Sequence, residues 1–401
     1  MNVANSAQMA TAVIDLELKH RSPGLRVPGG QPRALVLLRW AGRPVGQLTL
    51  PVENGAIEAE RLERTLAQWA GPGFWTVWLR DGLGWDEAEP APGPRAATVA
   101  VCTRERPEDL ARCLNAVSAL PQQPLDVVVV DNRPSTPRTR ETVERFPGVR
   151  YVRQDEGGLN AARNRAVREA RHDLVAFTDD DAIVDREWLA ALVRNFDDPR
   201  VLCVTGLTMP VELETEAQEL FEAYSPFGRG FERRVFDAVR SSPLAVGRVG
   251  AGANMALRRS ALDLVGEFDE ALDGGTPTRS GGDHEMFSRI LAAGFRIVYD
   301  PAALSWHRHR RSMEELRETL RGYGTGVYAM WTRALVEGRE YGVFKQAAAW
   351  LRYGQVPELA RALAGRPRRM PLSLLAAEWR GCLAGPFAYL ASRRQAALRR
   401  R

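Results

Sequence analysis

Leu174-Val175-Ala176-Phe177-Thr178, followed at once by Asp179-Asp180-Asp181, is the stretch from which the rest of the chain can be read. Five apolar or β-prone residues bounded by polar ones describe a buried strand. Three adjacent carboxylates at its end repel one another unless a cation sits among them. A hard divalent ion, Mg²⁺ or Mn²⁺, prefers oxygen ligands, and one or two carboxylates completed by phosphate oxygens are its usual arrangement. The competing reading is a solvated turn before a helix that Asp185 caps.

Working outward, the same grammar recurs. Ala97–Cys102 is an apolar run followed by a helical pattern over Pro107–Leu120 with Leu110, Cys113, Leu114 and Val117 on one face. Leu125–Val130 is a second run, with Thr136 and Pro137 opening a helix that ends near Phe146. Val149–Val152 predicts a third strand, Gly158–Ala170 a helix, and Trp188, Leu189, Leu192 and Phe196 another helix after Asp185. Short buried strands alternating with amphipathic helices predict an α/β fold, a doubly wound, mostly parallel sheet covered by crossover helices. Upstream, Ala34–Trp40 and Val45–Val52 read as a hairpin about Ala41–Pro44, followed by a helix over Glu58–Trp69. The expected organisation is a small α+β N-terminal module over 1–80, a proline-rich linker over 81–96, the main domain over 97–335, and a helical, Arg-rich segment over 336–401.

The chain has 401 residues and a net charge of +5. Residues 364–401 hold nine arginines and one glutamate, a balance of +8, so the rest is slightly acidic and no nucleic-acid surface is expected. Cys102, Cys113, Cys203 and Cys382 form no C-x-x-C pair, which argues against a zinc site or disulfide framework. The first twenty residues lack a basic cluster followed by an apolar core, so no signal peptide is expected and the location is expected to be cytoplasmic. Glu378, Arg380 and Pro386 make Pro371–Ala391 a poor membrane span; packing on the main domain or lying on an anionic membrane surface are the alternatives.

In an open parallel sheet, ligands bind beyond the carboxyl ends of the strands, where this chain places Thr103-Arg104, Asp131-Asn132 and Asp179-Asp180-Asp181. From Ala97 to Tyr328 the order of motifs resembles the family-two, inverting glycosyltransferases of GT-A fold. The resemblance is carried by VAVCTRERPEDLARCL, VVVVDNRPST, EGGLNAARNRAV, AFTDDDAIVDREWL, GAGANMALRRSALDLVGEFDE and GGDHEMFSRILAAG, in that order.

That resemblance implies a nucleotide-sugar site formed by Thr103, Arg104, Asp131, Asn160, Arg163, Asp179 and Asp180, with Thr103, Asp131 and Arg163 at the base and Asp179 on the ribose side. It implies Asp181 and His307 as metal ligands, Asp180 being an alternative, and Arg308 and Asn254 at the diphosphate or acceptor. It makes Asp283 the general base, although Asp283 also stands where a helix N-cap would; the acid common at the preceding family position is replaced by Gly282. The donor implied is a UDP- or dTDP-sugar, and the acceptor carries a hydroxyl. No Gln-x-x-Arg-Trp motif is present, which favours single-sugar transfer. Gly250–Met255 is not a dinucleotide fingerprint, since Met255 stands where the third glycine belongs. The rival readings are a nucleotidyltransferase, disfavoured because no glycine lies between Cys102 and Pro107, and a nucleotide-sugar binding module without turnover.

Overall fold

The computed structural model describes residues 10–20, 24–85, 95–122, 125–364 and 370–399. Most of the expected linker and part of the Arg-rich end therefore lie outside the described residues. The N-terminal part contains β1 (Thr11–Glu17), β2 (Gly24–Arg26), β3 (Arg33–Trp40), β4 (Arg43–Pro51), β5 (Ala56–Glu58), α1 (Ala59–Trp69) and α2 (Pro72–Gly82). Then follow β6 (Ala97–Thr103), α3 (Pro107–Ser118), β7 (Asp126–Asn132), α4 (Arg138–Val143), β8 (Val149–Gln154), α5 (Leu159–Glu169), β9 (Leu174–Asp179), β10 (Ala182–Val184) and α6 (Trp188–Val193). The remainder is β11 (Val201–Pro210), α7 (Glu216–Tyr224), β12 (Arg234–Phe236), β13 (Asn254–Arg258), α8 (Ser260–Val265), α9 (Gly282–Ala292), β14 (Arg296–His307), α10 (Met313–Gly338), α11 (Gly342–Trp350), α12 (Val356–Leu363) and α13 (Leu372–Arg399).

The central sheet has the order β10-β14-β11-β13-β9-β6-β7-β8, with β12 beside β14. Strands β8, β7, β6 and β9 are parallel, β13 runs antiparallel between β9 and β11, and β11 is again parallel to β14. This is the α/β, mostly parallel sheet the alternation predicts, in the GT-A-type form the resemblance implies. Its middle strands are buried on both faces, which is why they read as unbroken apolar runs. Val99 and Val129 meet Leu110, Leu114, Trp188 and Leu192 on one side. Ala100 and Val128 meet Ala162, Ala166, Met286, Phe287 and Ile290 on the other.

Three expectations change. The apolar run Phe295–Tyr299 reads by itself as a short strand before a proline turn, but β14 continues through Pro301 to His307. Its pairing with β11 slips between Gly206 and Leu207, from Asp300 to Leu304, so the proline falls in a bulge where no ladder hydrogen bond is needed. The hairpin β3–β4 forms, and β1 adds to it in parallel. Its strand β3 is also buried on both sides: Ala34, Val36 and Leu38 pack with Leu62 of α1, whereas Leu35 and Leu37 pack on Leu207, Met209, Tyr299 and Leu304 of the central domain. The Asp185 carboxylate accepts from Arg39 Nη2 at 2.6 Å, and Arg39 also pairs with Asp15, so the module is tied to the domain by charge as well as by apolar contact.

The third change concerns the C-terminal part. Helix α10 runs through the boundary expected at 335, and α13 is one helix despite Pro386. Proline forfeits one intrahelical hydrogen bond; burial of Leu374, Leu375, Cys382 and Tyr389 holds the helix in place. The backbones of α10 and α13 touch. A β-carbon at Gly324 would press on the Glu378 carbonyl and Cys382 Sγ, and one at Gly381 would lie 2.9 Å from the Thr325 nitrogen. The same stretch of α10 meets the entrance of α9: a β-carbon on Gly281, whose φ is +97°, would lie 2.6 Å from the Gly326 carbonyl oxygen. Among the described residues no helix is long and apolar enough to cross a membrane.

Candidate active site

The β10–β14 ladder builds the site. It pairs Ala182 with His307, so His307 Nε2 stands 3.1 Å from Asp181 Oδ1. The Arg308 N–H extends the ladder by donating to the Asp181 carbonyl at 3.0 Å. Asp179, at the end of β9, joins them: one ligand atom from each of Asp179, Asp181 and His307 lies within 4.8 Å of the other two. Burial raises the Asp181 pKa, but the charges of His307, Arg106 and Arg310 outweigh it and hold the carboxyl below its ordinary range. Burial, then the Asp181 charge, pushes Asp179 up. His307 is drawn up by Asp181 against the effect of its burial. Asp181 Oδ1 is buried without a hydrogen-bond donor aligned on it. Two carboxylates and an imidazole converging on such an orphaned oxygen are a donor set that fits Mg²⁺ or Mn²⁺.

Asp180 faces away from this trio. Its Oδ2 accepts from Thr103 Oγ1 at 2.7 Å, and its Oδ1 accepts from Arg106 Nη1 at 3.2 Å. Burial, reinforced by Asp181, pushes its pKa up to about 6. Thr103 is therefore committed to an aspartate at this site. Arg106 also donates to Asp181 Oδ2 at 2.9 Å, a role no motif announced.

A cavity of about 730 Å³ opens beside the trio and is walled by Asp179, His307, Arg310, Arg163 and Asp283. Asp283 lies in the first turn of α9. Its Oδ1 accepts the His284 N–H at 2.8 Å and its Oδ2 accepts the Gly252 N–H at 2.7 Å. Burial raises its pKa, yet His284, Arg163 and these two N–H groups prevail, so the carboxylate stays ionised. Gly252 is needed for this approach, because a β-carbon there would meet Arg163 Nη2 at 2.7 Å and Asp283 Cβ at 2.9 Å. Arg163 is itself buried and donates to Asp273 Oδ2 at 2.5 Å. Asp273 sits on a loop with no periodic pattern, and nothing in the sequence reading pointed to it.

Several expected residues hold structure rather than line the cavity. Asn254 is fully buried: its Nδ2 donates to the Leu207 and Ala303 carbonyls at 2.9 and 2.8 Å and its Oδ1 accepts from Trp188 Nε1 at 2.8 Å, which leaves nothing for a diphosphate. Asn160 donates to the Asp269 carbonyl at 2.8 Å and accepts from Arg163. Arg308 reaches toward Asp109 and Glu212, and Arg310, 3.4 Å from Asp181, takes the place expected for it. Arg104 is exposed. Asp131 lies buried at the end of β7 and accepts from Tyr151 at 3.0 Å; its Oδ1 has no donor. His309 backs His307 at 3.4 Å and pairs with Glu222 at 3.0 Å.

A mostly parallel sheet whose strand ends assemble an Asp–Asp–His trio beside a carboxylate-bearing cavity is an arrangement of GT-A type. Residues 98–266 match the model of glycosyl transferase family 2. A pre-mycofactocin glycosyltransferase of Mycobacterium tuberculosis is 27% identical over 320 residues, covering 75% of this chain and 59% of that protein. The succinoglycan biosynthesis protein ExoM of Rhizobium meliloti is 28% identical over 275 residues, covering 62% and 83%. A solved mannosyltransferase of Pyrobaculum calidifontis, in complex with GDP-Man and Mn²⁺, is 20% identical and covers 82% of this chain and 96% of that one, with a TM-score of 0.49. The chain thus spans about three fifths of the length of the first of these relatives.

Proposed function

We propose that the chain transfers a single sugar, with inversion, from a nucleotide-diphosphate sugar to a hydroxyl acceptor in a metal-dependent reaction. The observation that carries this reading is the placement of Asp283 on the wall of the cavity that Asp179 and His307 also line. Asp179, Asp181 and His307 would hold Mg²⁺ or Mn²⁺, which supplies charge neutralisation at the diphosphate when bound. Arg310 adds a cation on the same side, suited to negative charge developing on the leaving group. Asp283, kept ionised, takes the acceptor's hydroxyl proton while the acceptor oxygen bonds to the anomeric carbon. The bond from that carbon to the diphosphate breaks, and its electron pair leaves with the nucleoside diphosphate. A UDP- or dTDP-sugar is taken as the donor on the resemblance at Asp131, whose carboxylate lies buried at the end of β7.

We also place the protein at the cytoplasmic face of an anionic membrane. On α13 the outer face carries Leu383, Phe387 and Leu390, exposed by 76%, 75% and 42%. The exposed charges described along it are Arg380, Arg393 and Arg394, while its one acid, Glu378, is buried. An apolar stripe flanked by arginines, one of which, Arg393, also pairs with Glu337 at 3.5 Å, complements acidic lipid headgroups.

The test is a thermal-shift screen of nucleotide sugars with and without Mn²⁺, followed by product analysis. A ligand at a hundred times its Kd adds roughly 2.7 kcal/mol of stability. Stabilisation by a UDP- or dTDP-sugar only with metal, and release of the nucleoside diphosphate, are the expected results. Release of inorganic diphosphate would indicate a nucleotidyltransferase, and binding without turnover a binding module.

A further inference from the structure

The cavity wall holds one cation of a different kind from the rest. Arg106 is paired with Asp180 and Asp181, Arg163 with Asp273, Arg279 with Glu318, and Arg310 with Asp181. Arg229, on the loop between α7 and β12, also lines the cavity, yet among the described residues no carboxylate lies within ion-pair distance of it. Its Nη1 donates only to main-chain oxygens, those of Pro226 and, at 3.3 Å, Gly228. Its Nε is buried with no acceptor. Burial draws its pKa below the ordinary arginine value, against the opposing influence of Tyr299, Tyr323 and Asp283. An arginine nevertheless remains charged in a protein.

Arg229 is half-buried, and holding an unpaired guanidinium even partly out of water is costly; a merely structural arginine would be expected to have a carboxylate beside it. The loop is built to keep it there. The Arg229 N–H donates to the Tyr299 hydroxyl at 3.1 Å, and that hydroxyl donates to the Gly230 carbonyl at 2.7 Å. Phe227 of the same loop packs edge-on to His307, with ring centres 5.0 Å apart. The guanidinium is thus fixed before any ligand arrives. Its planar fork matches a carboxylate or phosphate group.

We propose that Arg229 binds a carboxylate or phosphate carried by the acceptor, so that the acceptor is an anionic hydroxy compound. The inference rests on the reading of this cavity as the transfer site. The acceptor is favoured over the donor because Arg106 and Arg310 already flank Asp181, whereas Arg229 shares the cavity wall with Asp283, the base that must meet the acceptor hydroxyl.

The test compares glucuronate and glucose 6-phosphate with glucose, which lacks the anionic group, by calorimetry on the full chain. The wild-type protein should bind one or both anions more tightly than glucose. Arg229→Gln should lower that affinity about 10- to 100-fold, the effect of one charged hydrogen-bonding group, without lowering Tm. Arg229→Lys, which keeps the charge but not the fork, should fall between. A carboxylate preference points to acidic sugars or hydroxy acids, and a phosphate preference to sugar or lipid phosphates. The proposal is overturned if the wild-type protein does not discriminate between anion and neutral sugar, or if Arg229→Gln discriminates as well as wild type. It is equally overturned if the variant instead loses UDP affinity measured with Mn²⁺, which assigns Arg229 to the donor. Should Arg229→Gln not fold, the Lys variant decides alone by the same comparison. Failure of the wild-type protein to bind any nucleoside diphosphate sinks the transfer-site reading separately, because the anion comparison does not depend on it.

Discussion

The side-chain amide of Asn160 occupies the space that a β-carbon at Gly282 would fill, with Oδ1 and Cγ at 2.6 and 2.7 Å from that position. The glycine that interrupts the family's acidic pair before Asp283 is therefore a packing requirement of this chain. Gly282→Ala should lower stability by about 1–3 kcal/mol, the usual cost of overpacking a tight site. Urea unfolding measures it. An unchanged midpoint means that Asn160 moves aside freely.

Asp283→Asn is expected to lower the single-turnover transfer rate by roughly 10²–10⁴-fold, the contribution of a positioned general base. The structure adds a small stability cost. Asp283 accepts N–H groups from both His284 and Gly252, and Asn has only one oxygen, so one interaction of about 1 kcal/mol is lost. Transfer within a few-fold of wild type, with donor binding intact, would place the base elsewhere.

Asp181→Ala should abolish the metal dependence of donor binding. Loss of even a supporting group around a metal costs roughly 10–100-fold in affinity, so a ligand should cost at least that. Calorimetry with Mn²⁺ and with chelator distinguishes the cases. Unaltered affinity and unaltered metal dependence would move the metal away from this trio.

Glu378, which also lines the cavity, gives a pH signature of its own. Burial, despite hydrogen bonds from Tyr224 and Gln355, raises its pKa. The folded state then holds the proton more tightly than the unfolded chain does, so this contribution to stability is full below about pH 4.3, the unfolded value, and is lost as pH rises through the folded pKa. Glu378→Gln, always neutral, should be more stable than wild type at pH 7 and should converge with it near pH 4. A variant less stable at pH 7 shows that the charge itself is needed.

Lipid attachment through α13 should be salt-sensitive, since attraction between surface charges is screened within about 8–10 Å at physiological ionic strength. Leu383→Ser with Phe387→Ser should abolish co-sedimentation with phosphatidylserine vesicles while leaving Tm unchanged, because both residues are exposed. No binding by the wild-type protein at low salt removes the membrane assignment.

What the sequence discloses divides along physical lines. Strands β6, β7 and β9 were legible because burial on both faces writes an unbroken apolar run. Strand β11 is just as buried, yet Gly206, two threonines and a terminal proline dilute its signal. Asp179, Asp181 and His307 were legible as residues at strand ends, though Asp179 was expected on the ribose side and converges instead with Asp181 and His307. Arg229 and Asp273 could not, since loop residues obey no period and their importance arises from what surrounds them in space. The motif readings erred for Asn160 and Asn254 for a single reason: a buried amide that satisfies main-chain carbonyls looks, in sequence, like one waiting for a ligand.

The contact of main chain on main chain from α13 to α10 at Gly324, and from α10 to the start of α9 at Gly281, has a mechanical meaning. Side chains absorb displacement by changing rotamer, whereas at these glycines main chain meets main chain directly. A shift of the outer helix is thus handed on undamped to the turn that carries Asp283. The last helix is a structural strut of the reaction centre, and a chain cut after Gly338 should keep its sheet yet lose the alignment of its base.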